Sequence, residues 1–126
     1  MSESYDFDFL VGEPVNQVWV WGPIRLVIES ERISANVDLL RVGVADSDGR
    51  NVEIDATKRP TEAGPLLGLL QKHVTSAKST DGVLVLRFDD GSEVRGYPDE
   101  RYNSWSVDRD GGPSIMCLPG GELTSM

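Results

Sequence analysis

The 126-residue chain holds one cysteine, one histidine, more acid than base and no long apolar run, and each scarcity removes a class of chemistry. A lone Cys117 excludes an internal disulfide and a cysteine-pair zinc site, and its neighbours Ile115, Met116 and Leu118 mark it as a small buried side chain. A lone His73 removes Ser-His-Asp and Cys-His catalysis unless that residue meets its partners. Its place after an apolar helical run suits a favourable charge at a helix C-terminus. No stretch approaches the ~20 apolar residues of a membrane span, and the acidic start MSESYDFDFL lacks the regions of a secretory signal. A soluble cytoplasmic protein is expected. Gly111-Gly112 and Gly120-Gly121 each adjoin a proline and precede no helix, so no phosphate-binding loop is expected, and no cofactor.

Basic residues are also few: 12 against 21 acids, a net charge of −9 spread over both halves. Such a field repels phosphate backbones, which argues against nucleic acid as a partner, and it attracts a basic protein. The same charge also serves to keep a small domain in solution.

What is present is alternation at spacing two. Leu84, Leu86 and Phe88 alternate with Val85 and Arg87, and Asp90-Gly91 turns the chain back through Ser92 to Tyr97. Tyr102, Trp105 and Val107 read as a third strand attached to this hairpin. Ile24, Leu26 and Ile28, then Ile33, Ala35 and Val37, make a second hairpin, followed by Leu39 to Val44 and Val52 to Asp55 around an Asp48-Gly49 turn. In Val15 to Trp21 the valines and tryptophans fall on opposite faces, so both faces are expected to be covered. The segment from Tyr5 to Gly12 reads as a docked arm leading to a turn. Leu66, Leu67, Leu69 and Leu70 predict one short helix at about 65–72, its start delayed by Gly64 and Pro65. The expected fold is α+β but mainly β: an antiparallel sheet, small sandwich or open barrel built from two hairpin units, in one domain spanning 1–126. An offset of about 60 lays Val15 on Val74, Ile28 on Phe88, Ile33 on Val94 and Ile54 on Ile115. Duplication of units near 12–60 and 68–120, or chance likeness of β segments, both account for it.

Asp46, Asp48, Asn51, Glu53 and Asp55 offer oxygen ligands, but Gly49 comes too early for a calcium loop, and a hairpin turn with Val52 and Ile54 pointing inward is expected instead, with no metal. Tyr97, Arg101, Tyr102 and Trp105, with Arg95 nearby, are the candidate partner- or ligand-binding residues, because Tyr, Trp and Arg dominate interface hot spots. The competing reading has these aromatics capping the core with their polar ends in water.

The progression Leu67-Gly68, Val74, GVLVLRFDDG from Gly82 to Gly91, YNSW from Tyr102 to Trp105 and PGGEL from Pro119 to Leu123 resembles a family of small bacterial, mainly actinobacterial, proteins of unknown function. The resemblance is strongest over residues 67–123 and implies no catalytic residue. Small acidic domains of this kind are similar to immunity proteins, which neutralise toxins by binding. The expected function is therefore a non-enzymatic acidic interaction module; the alternative is a small-molecule-binding β domain with a cavity lined by Trp19, Trp21 or Trp105.

Overall fold

Hydrophobic residues at every second position write most of this chain as strands. The computed structural model describes residues 4–55 and 57–125. In chain order the strands are β1 (Ser4–Asp6), β2 (Val15–Val20), β3 (Ile24–Glu29), β4 (Ser34–Leu39), β5 (Arg41–Ala45) and β6 (Asn51–Asp55). A 3-10 helix (Pro60–Leu69) separates these from β7 (Val74–Thr80), β8 (Val83–Phe88), β9 (Glu93–Gly96), β10 (Trp105–Arg109), β11 (Ile115–Cys117) and β12 (Leu123–Ser125). They form two six-stranded antiparallel sheets, ordered β1-β7-β8-β9-β5-β6 and β12-β11-β10-β4-β3-β2. Neither sheet closes into a barrel.

The core lies where the inward positions of both sheets meet. Ile24, Leu26 and Ile28 of β3 are fully buried, as are Leu84 and Leu86 of β8, while Phe88 is nearly so. Arg25 and Arg87, one position away, face outward as a two-residue period requires. Phe7 and Leu10 from the N-terminal arm and Leu66 and Leu69 from the 3-10 helix complete the same cluster.

The two halves of the chain follow one path. Strands β2, β3 and β4 form a meander in one sheet, and the chain then crosses at Leu40 to build β5 and β6 in the other. Strands β7, β8 and β9 form a meander in that other sheet, and the chain crosses back to build β10 and β11. Each meander opens with the same irregularity, a register shift after Val15 in one and after Val74 in the other. At the crossings the Leu40 N–H donates to the Ser104 carbonyl at 2.8 Å and the Tyr97 N–H to the Arg41 carbonyl at 3.0 Å, in corresponding places. Because β4 pairs with β10 and β9 with β5, each sheet is completed by the opposite half.

Several expectations change. The strand beginning at Trp105 does not extend the β8–β9 hairpin; it joins the other sheet between β4 and β11. The helical segment begins at Pro60 rather than being delayed to Pro65, and it is 3-10 in form. Pro60 stands at its first position, where no donor is needed, while Pro65 inside it and two glycines weaken any α ladder. The N-terminal arm does dock and lead to a turn: it is a three-residue edge strand on β7 followed by a short 3-10 turn, anchored through the buried Phe7 and Leu10. Val52 is exposed while Ile54 is buried, because β6 lies at a sheet edge that the core does not fully cover. Strand β2 is not covered on both faces: it too is an edge strand, and its second half is open. Among the described residues no helix is long and apolar enough to cross a membrane.

Candidate functional site

The open half of β2 presents the most exposed tryptophans of the protein. From Pro14 to Ile24 no side chain is ionisable. Val15 at the start of this run is sealed, its N–H donating to Lys72 C=O and its C=O accepting from Gln71 N–H. Past that point no backbone among the described residues pairs with the strand's outer edge, and Trp19, Val20 and Trp21 are 48%, 40% and 53% exposed. The register places Trp19 beside Arg25 of β3, and Arg25 beside Asp38 of β4, on the outer face. Asp38 grips the Arg25 guanidinium through two hydrogen bonds, at 2.7 and 3.0 Å, and this raises the Arg25 pKa. The guanidinium lies 5.7 Å from the Trp19 ring centroid and 5.2 Å from that of Trp21. The two indoles meet edge to face at 6.3 Å, and Trp19 Nε1–H donates to Gln17 Oε1 at 2.7 Å. These aromatic anchors are thus held in place before anything binds, which lowers the ordering cost of an interface. A hollow of about 140 Å³ beside Trp21, lined by Pro23, Asn103 and Met116 among others, continues the surface.

The residues expected to form a site do not come together. Trp105 is 2% exposed and points into the core, so it is corrected from a contact residue to a core residue. Its Nε1–H donates to the Gly82 carbonyl at 2.8 Å, and its ring meets Phe7 edge to face. Tyr97 packs its ring against Gly43 in the other sheet; a Cβ at Gly43 would stand 2.8 Å from its hydroxyl oxygen. Arg101 and Tyr102 sit on a loop whose turn is fixed by Asp99, which accepts their N–H groups at 2.7 and 3.1 Å. Tyr102 is 62% exposed there, but Trp105 is buried in the core. Trp21 and Trp105 both line the small hollow of about 140 Å³, and Trp19 does not. The signal for the β2 surface was the uncharged run itself, in a chain where 26% of residues are charged.

The motifs of the second half instead converge on a structural joint. Asp81 and Gly82 both take positive φ, 53° and 80°, the pairing that closes a two-residue hairpin between β7 and β8. Against this turn packs Gly121 of the closing Pro-Gly-Gly segment, so near that a Cβ at Gly82 would lie 2.8 Å from the Gly121 Cα. Trp105 bonds to the same Gly82. Among known families, the one described as "Family of unknown function (DUF6188)" matches residues 8–126. The chain belongs to this family. No curated protein and no solved structure matches it.

In this DUF6188 chain the groups with chemical potential are dispersed. Burial pushes the Cys117 thiol pKa up, away from thiolate character. His73 Nδ1 lies 3.5 Å from Asp89 at the surface. Asp46 Oδ1 accepts from the N–H groups of Asp48 and Arg50, so its carboxylate organises the β5–β6 turn. Glu93 is held between Arg87 and Arg95 at 3.0 and 2.6 Å, and although burial opposes it the two arginines keep its pKa low. An open groove of about 500 Å³ beside Tyr97 mixes Arg41, Lys58 and Arg59 with Glu53, Asp55 and Glu62.

Proposed function

We propose that this DUF6188 protein is a non-enzymatic interaction module of a bacterial cytoplasm, acting through protein contact in the manner of immunity proteins, with the Trp19–Trp21 edge as its contact surface. The observation that carries the reading is the pair of exposed indoles held by the Arg25–Asp38 ion pair on an uncharged edge strand. Tryptophan and arginine in such a setting are the residues that concentrate binding energy. Contact is favoured over a ligand cavity because the apolar hollow beside Trp21 holds only about 140 Å³ and the larger groove beside Tyr97 is open and lined by charged groups, whereas a small-molecule site is a roomier, concave and mostly apolar one. The net charge of −9 makes a basic protein the favoured partner.

Affinity capture from the native host tests this, comparing the wild-type chain with a Trp19→Ala, Trp21→Ala double variant that keeps its circular dichroism and melting temperature. The expected result is a basic protein retained by the wild type, lost with the variant and released by salt. Equal retention by both chains would refute the surface.

A further inference from the structure

Strand β2 is unlike the other sheet edges of this protein. Four strands end the two sheets: β1, β6, β12 and β2. Natural edges are protected by shortness or by charge. Strands β1 and β12 have three residues each, β1 with Asp6 among them, and β6 carries Glu53 and Asp55. Strand β2 has six residues and no charge.

Its hydrogen-bonding side is also defined. The Ser30 N–H bonds to the Ile33 carbonyl at the β3–β4 turn, so Ile28, Leu26 and Ile24, alternate positions back from that bond, direct their backbone groups at β4. Arg25 and Val27 therefore direct theirs at β2, onto Trp19 and Gln17. The bond from Trp21 N–H to Pro23 C=O agrees with this phase. Val18 and Val20 consequently turn their N–H and C=O groups outward, where they find no backbone partner among the described residues.

We infer that the occupant of this edge is a second copy of the same chain, paired antiparallel through β2 about a two-fold axis at Trp19. This rests on reading the tryptophan edge as a protein-contact surface, and it names the first protein to occupy it. In this register the Val18 N–H meets the partner's Val20 C=O and the Val20 N–H meets the partner's Val18 C=O, and the axis repeats both bonds. Every outward group of the open half is thereby used. The Trp19 residues of the two copies face each other at a position without mutual backbone bonds, where Cα atoms approach to ~4.5 Å and side chains touch most closely. The outer-face row Asp38, Arg25, Trp19 is then continued by the two-fold axis into the partner's Trp19, Arg25 and Asp38, with the facing Trp19 pair between two guanidinium groups. At this edge charge opposes the copy least: two chains of net charge −9 meet through a segment with no ionisable side chain. A two-fold pair is also the commonest closed assembly.

Sedimentation equilibrium of the full chain, from micromolar to submillimolar, tests the inference. The wild type is expected as a concentration-dependent dimer that tightens with salt, since screening relieves the repulsion of like-charged copies; a basic partner responds to salt in the opposite sense. Val20→Pro removes an outward N–H at an edge position where proline is tolerated. It deletes two symmetry-related bonds, each worth roughly a fivefold factor, so the dissociation constant should rise about twenty-five-fold while the melting temperature of the monomer holds. Should that variant fail to fold, Trp19→Lys places like charges at the axis from a solvent-facing position and should give a folded monomer. A monomeric wild type throughout the range, or a Val20→Pro chain that dimerises as the wild type does, overturns the inference. If the wild type is monomeric and the double tryptophan variant still loses its captured partner, the second copy falls and the contact surface stands; if that variant keeps the partner, both fall.

Discussion

Replacing Trp105 with phenylalanine isolates one bond at the joint between the two sheets. The indole is 2% exposed and donates to the Gly82 carbonyl at 2.8 Å. Phenylalanine would keep an aromatic ring facing Phe7, whose centroid now lies 6.1 Å away, but it has no donor. The Gly82 carbonyl would retain only the Cys117 thiol at 3.7 Å, a weak donor. A buried acceptor left unpaired costs ~1–3 kcal/mol, and the space vacated by the smaller ring adds ~1 kcal/mol. We expect a loss of about 2–4 kcal/mol, a substantial part of the ~5–15 kcal/mol that holds a domain folded. The corresponding drop in melting temperature is on the order of 10 °C. Urea titration followed by far-ultraviolet circular dichroism measures it without relying on tryptophan emission, which the substitution itself alters. The slope of free energy against urea should not change, because the folded state stays equally compact. A loss below ~0.5 kcal/mol would mean that water reaches the Gly82 carbonyl and that the joint is not dry.

Further predictions follow from burial and ionisation. Phe88→Ala should cost about 3–5 kcal/mol, since Phe88 closes the inward face of β8, while Arg87→Ala on the outer face should cost under ~1 kcal/mol; equal losses in denaturant melts would reverse the faces assigned to β8. Glu13 is 5% exposed, and hydrogen bonds from Ser30 and Arg32 hold its pKa below the ordinary 4.5. A group depressed in the folded state contributes stability that is present above its unfolded pKa and is lost as pH falls through the folded one. Glu13→Gln should therefore cost about 1 kcal/mol at neutral pH, a modest figure because Arg32 is largely exposed, and should flatten the decline of stability below pH 4.5. Urea midpoints that decline with the same steepness in both chains would sink this assignment.

Strand existence was legible because burial alternates with the pleat: Ile24, Leu26 and Ile28 show it, as do Leu84, Leu86 and Phe88. Sheet membership was not, because no local pattern says that the chain leaves one sheet at Leu40 or that β10 will pair with β4. The offset of about 60 follows the strand registers where turn lengths match and departs from them where they do not. Val15 and Val74 pair with Ile28 and Phe88 beside equivalent register shifts. Val94, however, corresponds to Val37 rather than Ile33, since Val37 pairs with Leu26 as Val94 pairs with Leu86, and the turn after β3 is the longer one. Ile54 likewise corresponds to Cys117, because these pair with Val42 and Trp105 at matching places. Descent from a duplicated half is a proposal that this exchange of strands supports. The contact surface was half legible. Two tryptophans on one face of a strand and two valines on the other look the same in sequence whether the strand is central or at an edge, and only the position of β2 at the end of its sheet exposes them. The aromatic at Trp105 looked displayed because it follows a loop, yet a loop that crosses between sheets delivers its next residue to the core.

The interlocking of the halves governs how this chain must acquire its structure. During synthesis the first meander emerges with Leu39 facing an empty place that Trp105 will fill, and β5 emerges with one edge awaiting β9. Contacts of such long sequence separation demand loop closure before they return any stabilisation, so neither sheet is complete until most of the chain has been made. Folding is thus a late event at the ribosome, and until β9 and β10 arrive the bare flanks of β4 and β5 are open to pairing with the same strands of a neighbouring nascent chain.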